Sequence, residues 1–267
     1  DAEKMDRYDR WFAALKQQGV YTTWSVIYPH HGAFLQKHDG YDPDLFAELD
    51  ASDTQHDGKT GPIVVNDFIN LDRRLQDIAL RYFDKLLNHK NPYTGLQYKN
   101  DPALAILETQ NESNVFFHTL NELRNGKPPR FARGMRRLCF RHIQAKYQTQ
   151  GAVARAWKNR WDRNDDWEAG EWGLRGAFQW GADGPLFEFK GQTRRAGDYI
   201  EFLASLQRDY YAGRESQVRE IGFQGVTVTT AWRSGGPAAS MANLYADTAA
   251  DMIDRHNYFG GGDGRHR

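Results

Sequence analysis

The run Asp101 to Asn114, DPALAILETQNESN, limits the fold of this chain more than any other stretch. Ala103 to Leu107 are too few apolar residues for a helix of their own and read as a fully buried strand. Beyond them Glu108, Gln110 and Glu112 alternate with Leu107, Thr109 and Asn111, and at period two the first three share a face. Carboxylates are rarely buried unless paired or used. Here two lie on one strand just where it runs out into a loop, which is where an α/β barrel keeps its chemistry. The plain alternative is that a strand-end Glu is a helix cap or a salt-bridge partner, and an Asn-Glu dipeptide alone decides nothing.

The flanking segments supply the context. Residues 3–18 carry Met5, Tyr8, Trp11, Phe12 and Leu15 at spacings of three and four, an amphipathic helix that Gly19 stops. Val20 to Tyr28, VYTTWSVIY, is β-branched and aromatic and predicts a strand, with Pro29, His30 and His31 opening a loop at its end. The two histidines have no second cluster at ligand spacing, so they either contact substrate or are solvated. Residues 32–70 form a long polar connection with Asp-Gly, Asp-Pro and Gly-Pro punctuation and are expected to lack regular structure. Asp72 to Asn88 make a second amphipathic helix, and Asn91 to Gly95, NPYTG, a turn before the key strand.

After Asn114 a loop to Leu123 leads through NGKPPR into a basic helix, Phe131 to Gln148. Its Arg133, Arg136, Arg137, Arg141 and Lys146 are expected to form a solvated outer face. Gly151 to Gly191 is rich in Trp and Gly without clear periodicity, and some of its tryptophans are candidates for sugar platforms. A long helix follows from about Gln192 to Glu220. Val226 to Trp232, VTVTTAW, is the next strand, with Trp232 at its outer end; Met241 to Ala250 predicts a helix. Asp251 to Tyr258, DMIDRHNY, is a last short strand in which Asp254, His256 and Tyr258 share one face. A His and a Tyr satisfied within the core remain the alternative for either residue alone.

Composition narrows the classes. Lys+Arg and Asp+Glu balance at 35 each, so no net field recruits nucleic acid or an anionic membrane. The chain has 8 Trp, 13 Tyr and 15 Phe; flat apolar faces with a polar edge suit sugar rings, although most such rings serve a core. A single cysteine, Cys139, excludes an internal disulfide and any Cys-rich metal site. No run is long enough to cross a bilayer, and the first ten residues are too charged for a signal peptide. No phosphate-cradling glycine loop, metal motif or nucleophile elbow is present, so neither a metal nor another cofactor is expected.

Helix, then GVYTTWSVIYPHH, then helix, then NPYTGLQYKNDPALAILETQNESN resembles the central segment of the cellulase-like glycoside hydrolases of clan A, above all large bacterial members related to family five. Those proteins have an N-P-Y-T-G turn before the fourth barrel strand and a strand ending in Asn-Glu-Asn or Asn-Glu-Ser. The match is good over residues 3–120 and looser beyond. It implies a (β/α)8 TIM barrel of which residues 1–267 are the central part, strands three to six, with a Trp-rich insertion at about 151–191. By position Glu112 becomes the general acid/base and Asn111 the partner of the sugar 2-hydroxyl. The D-x-H-x-Y form of the sixth strand gives His256 and Tyr258 places in the site; His30 and Trp232, at the outer ends of their strands, are the further candidate substrate contacts. The resemblance also implies an extracellular or periplasmic setting and a carbohydrate partner.

A retaining enzyme of this kind needs a second carboxylate about 5 Å from the first. The family supplies it as a Glu at the end of the seventh strand, and FGGGDGRHR after Tyr258 holds none. The expectation is therefore a segment of a larger polypeptide, or a chain that pairs with another or with its own copy to complete the barrel. Two functional classes follow: a retaining β-glycoside hydrolase, or a non-catalytic carbohydrate-binding or assembly protein on the same scaffold.

Overall fold

The computed structural model describes residues 1–27, 35–51, 63, 65–116, 118–174, 193–232 and 237–256. Helices are α1 (Ala2–Gln17), α2 (Pro43–Asp50), α3 (Arg73–Leu87), α4 (His118–Arg124), α5 (Pro129–Tyr147), α6 (Gln150–Ala156), α7 (Thr193–Ile221) and α8 (Pro237–Asp247). Strands are β1 (Thr22–Ser25), β2 (Leu104–Glu108) and β3 (Val226–Val228), in one parallel sheet of order β1-β2-β3. The architecture is α/β, with helices in every connection between strands.

Local chemistry accounts for the boundaries. The Asp1 carboxylate accepts the N–H groups of Glu3 and Lys4 at the start of α1, and Gly19 at φ +74° reverses the chain after it. Asp72 caps α3 through the Leu75 N–H, and the helix buries Leu75, Ile78, Ala79, Phe83 and Leu87 at helical spacing. The connection over 32–70 is not without regular structure, as the sequence suggested. Asp42-Pro43 starts α2 rather than a turn: Asp42 accepts from Asp44 and Leu45, and Pro43 occupies the first helical position, where its missing N–H costs nothing. The expected loop before Leu123 likewise contains α4.

β2 is the central strand. Leu104 and Leu107 are fully buried, each contributing about 1.5–3 kcal/mol by leaving water. The register pairs Trp24 with Leu107 and Ser25 with Glu108 on one side, and Leu107 with Thr227 and Glu108 with Val228 on the other. Gly225 lets β3 approach: a Cβ there would stand 2.8 Å from Ala105 O and 2.9 Å from Leu104 O. Beneath β1 and β2, Tyr98 meets Phe12 and Trp24 with ring centroids 4.9 and 4.4 Å apart. Asn91 ties the NPYTG turn to this cluster by donating to Asp9 O at 3.0 Å and to the Tyr98 hydroxyl at 3.2 Å.

The three strands are shorter than the sequence predicted. β3 stops at Val228 instead of reaching Trp232: past Gln110 the chain leaving β2 turns away, its Asn111 N–H going to Ile27 O, while the Thr229 and Thr230 hydroxyls bond to Asp247 and to the Ser113 N–H. Residues 251–256 are not a strand; they meet β3 through a parallel bridge between Val228 and Met252, and the Thr227 N–H donates to Asp251 Oδ2 at 2.9 Å.

The tryptophans before α7 are largely structural. Trp157 and Trp172 are buried, their rings 5.3 Å apart, and Trp167 packs on Phe140 of α5 at 5.1 Å. Arg195 lies 4.9 Å over Trp157 and forms a two-pronged ion pair with Asp165 at 2.7 and 2.8 Å. Trp180 lies outside the described residues. On α5, Arg133 and Arg137 are exposed and, with Arg136, surround Glu171 at 3.4–3.9 Å.

Candidate active site

The three strands are parallel, so their carboxyl ends open on one edge, and the chain leaving β2 is gripped from both sides there. Thr109 N–H donates to Val228 O at 2.9 Å and Gln110 N–H to Thr229 O at 3.0 Å, toward β3. Asn111 N–H then donates to Ile27 O at 2.7 Å, toward β1. Asn111 is buried in this position.

Glu112 follows at φ +43°, in the left-handed region. This is the main departure from the period-two reading: β2 ends at Glu108, and Glu112 sits in a turn, so it does not continue the strand face of Glu108 and Gln110. A left-handed Glu is uncommon and costs free energy, and such positions cluster at functional sites. Its side chain is only 17 % exposed, and Oε1 is in hydrogen-bond contact with Nδ1 of His256. His256 is itself placed by its backbone, whose N–H donates to Ala231 O at 3.0 Å.

Ala231 joins the two carboxylates of the site. Its N–H donates to Glu108 Oε1 at 3.2 Å, while the Ser25 hydroxyl donates to Glu108 Oε2. Burial raises the Glu108 pKa; the two hydrogen bonds and the neighbouring His256 oppose that shift, and Asp254 adds to it. Glu108 is thus a buried polar strut between β1 and the segment that follows β3, while Glu112 is the carboxylate in hydrogen-bond contact with His256.

Of the residues expected at the site, Glu112, Asn111 and His256 converge on this edge. Trp232 lies on the loop after β3, next to Ala231, with its backbone N–H on the Thr230 hydroxyl at 3.2 Å. His30 and Tyr258 lie outside the described residues. Asp254 and His256 do not share a strand face, since that segment is irregular, yet His256 reaches Glu112 all the same. Ser25 and Ala231 were not foreseen, because only the strand register reveals them. Among the described residues no group of three or more His, Cys, Asp or Glu side chains is placed to hold a metal ion. No described helix is long and apolar enough to cross a membrane.

No protein-family model and no curated protein sequence matches this chain. Solved structures do. The crystal structure of an agarase, AgWH50C, matches with a TM-score of 0.53 and 14% identity over 94% of this chain and 30% of that one. An exo-β-agarase matches at 0.50 and 16% identity over 90% of this chain and 28% of its own. An endo-β-1,4-mannanase from Thermotoga petrophila aligns at a TM-score of only 0.29 and 13% identity over 92% of this chain and 62% of its own. The chain therefore spans less than a third of the length of these agarase structures, and what it has in common with them is the fold of that portion.

Proposed function

We propose that this chain is the central portion of a (β/α)8-barrel glycoside hydrolase that cleaves β-linked poly- or oligosaccharide with retention, agar-type galactan being the first substrate to try. Glu112 is the general acid/base. The observation that carries this reading is the contact between Glu112 and His256 at the carboxyl edge of a parallel sheet, where barrel enzymes hold their reactive groups. The agarase fold likeness supports it.

In this mechanism the protonated Glu112 supports the departing glycosidic oxygen, and the carboxylate so formed later deprotonates water. His256, facing Oε1, orients that carboxyl. Asn111 holds the sugar 2-hydroxyl beside the reacting carbon, with Trp232, His30 and Tyr258 as further walls. The nucleophile is a Glu from a strand outside these residues, supplied by the rest of the polypeptide or by a second chain, and the setting is extracellular or periplasmic.

The test is Glu112→Gln in the full polypeptide, assayed on agarose and on other neutral β-linked polysaccharides. Turnover should fall about 100-fold or more with the melting temperature preserved. Undiminished turnover would remove Glu112 from the mechanism. Polysaccharide binding without hydrolysis in the native protein would instead select a non-catalytic binding role for the scaffold.

A further inference from the structure

One helix grips both sides of the Glu112–His256 contact from beneath. On α8, Asn243 and Asp247 stand one turn apart on the same face, and both are fully buried. Asn243 Oδ1 accepts from Asn114 Nδ2 at 2.8 Å, two residues beyond Glu112. Asn114 in turn accepts the Phe116 N–H at 2.9 Å, closing the next turn, two residues beyond the acid. The amide nitrogen of Asn243 donates to Asp247 Oδ2 at 2.7 Å.

Asp247 reaches the other side. Its Oδ2 also accepts from Arg255 Nη2 at 2.5 Å, one residue before His256, and its Oδ1 takes the Thr229 hydroxyl at 2.8 Å. Arg255 is further held by Asp254 O at 2.6 Å and Thr230 O at 3.4 Å. The segment bearing His256 is irregular; beside its bridge at Met252 and the His256 N–H on Ala231 O, this ion pair ties it to α8 through Arg255.

We infer that Asn243 and Asp247 are positioning residues that set the Glu112–His256 contact, Asn243 through Asn114 and Asp247 through Arg255. The consequence for catalysis rests on the proposed glycosidase function; the clamp does not. A buried carboxylate with three donors on it has one satisfied arrangement, and that arrangement fixes where residues 255 and 256 lie relative to the turn at 112.

The experiment reads the imidazole of His256 directly. Its ¹⁵N resonances in the full polypeptide are assigned by comparison with His256→Gln, and Glu112→Gln supplies the spectrum of a His256 without its carboxylate. Asp247→Asn and Arg255→Met should each move the His256 resonances toward their Glu112→Gln positions, and Arg255→Lys should return them part of the way. Folded Asp247→Asn or Arg255→Met with His256 resonances at their native positions would overturn the proposal. Should Asp247→Asn fail to fold, Arg255→Met decides, because Arg255 lies on a partly exposed, irregular segment. Moved resonances in a protein that hydrolyses no polysaccharide would sink the enzymatic reading and leave the clamp standing. Native resonances in Arg255→Met, with hydrolysis abolished by Glu112→Gln, would do the reverse.

Discussion

The Ser25 hydroxyl donates to the carboxylate of Glu108, its register partner across the β1–β2 pair. With the Ala231 N–H on the other oxygen, one acid ties the central strand to the segments on both sides. Burial favours its protonated form, so a neutral isostere should be tolerated. Glu108→Gln is expected to cost less than about 1 kcal/mol, whereas Glu108→Ala strands the buried Ala231 N–H and should cost about 1–3 kcal/mol. Urea unfolding of the two variants checks this.

Asp247 gives the protein a pH signature. Burial pushes its carboxyl up to about 6, against the opposing pull of Thr229, Arg255 and Asn243. The folded state therefore binds this proton more tightly than the unfolded chain, whose carboxyl has the ordinary value of 3.8. Its contribution to stability is fully present below pH ~4 and is lost as pH rises through ~6, a change of at most about 3 kcal/mol. Asp247→Asn should flatten the stability profile across that interval, measured by denaturant unfolding at successive pH values.

Gly225 is a steric requirement. In Gly225→Ala the new methyl meets two carbonyl oxygens of β2 at under 3 Å, and neither can swing aside as a side-chain end would. The expected loss is about 1–3 kcal/mol, seen as a lower melting temperature.

Trp157 distinguishes core from cleft. Its indole N–H donates to Asp198 at 2.7 Å and its ring is buried against Trp172. Trp157→Ala should destabilise by about 3–5 kcal/mol. Trp157→Phe should recover much of that stability and leave polysaccharide affinity unchanged, as measured by pull-down on insoluble polymer.

Much of the helical frame was legible in the sequence. The three-and-four spacing of Tyr8, Trp11, Phe12 and Leu15, and of Leu75, Ile78, Ala79 and Phe83, placed α1 and α3 within a residue or two of their observed ends. The buried run around Leu104 and Leu107 likewise gave β2. The period-two face failed at Glu112 because the strand stops at Glu108 and Glu112 itself turns into the left-handed region, and nothing in the letters N-E-S announces it. α2 was missed because Asp42-Pro43 serves equally as a turn and as a helix start. The partners of Asn114 and Arg255 depend on which face of α8 meets the sheet, a tertiary fact that local pattern does not carry.

The backbone at Glu112 carries a lesson for engineering. A glycine there would relieve the unfavourable dihedral and, on conformational grounds alone, raise thermal tolerance by roughly 1 kcal/mol. Libraries screened only for heat resistance would be drawn to this position and would discard the carboxylate, so selection for robustness has to be coupled to a readout of chemistry.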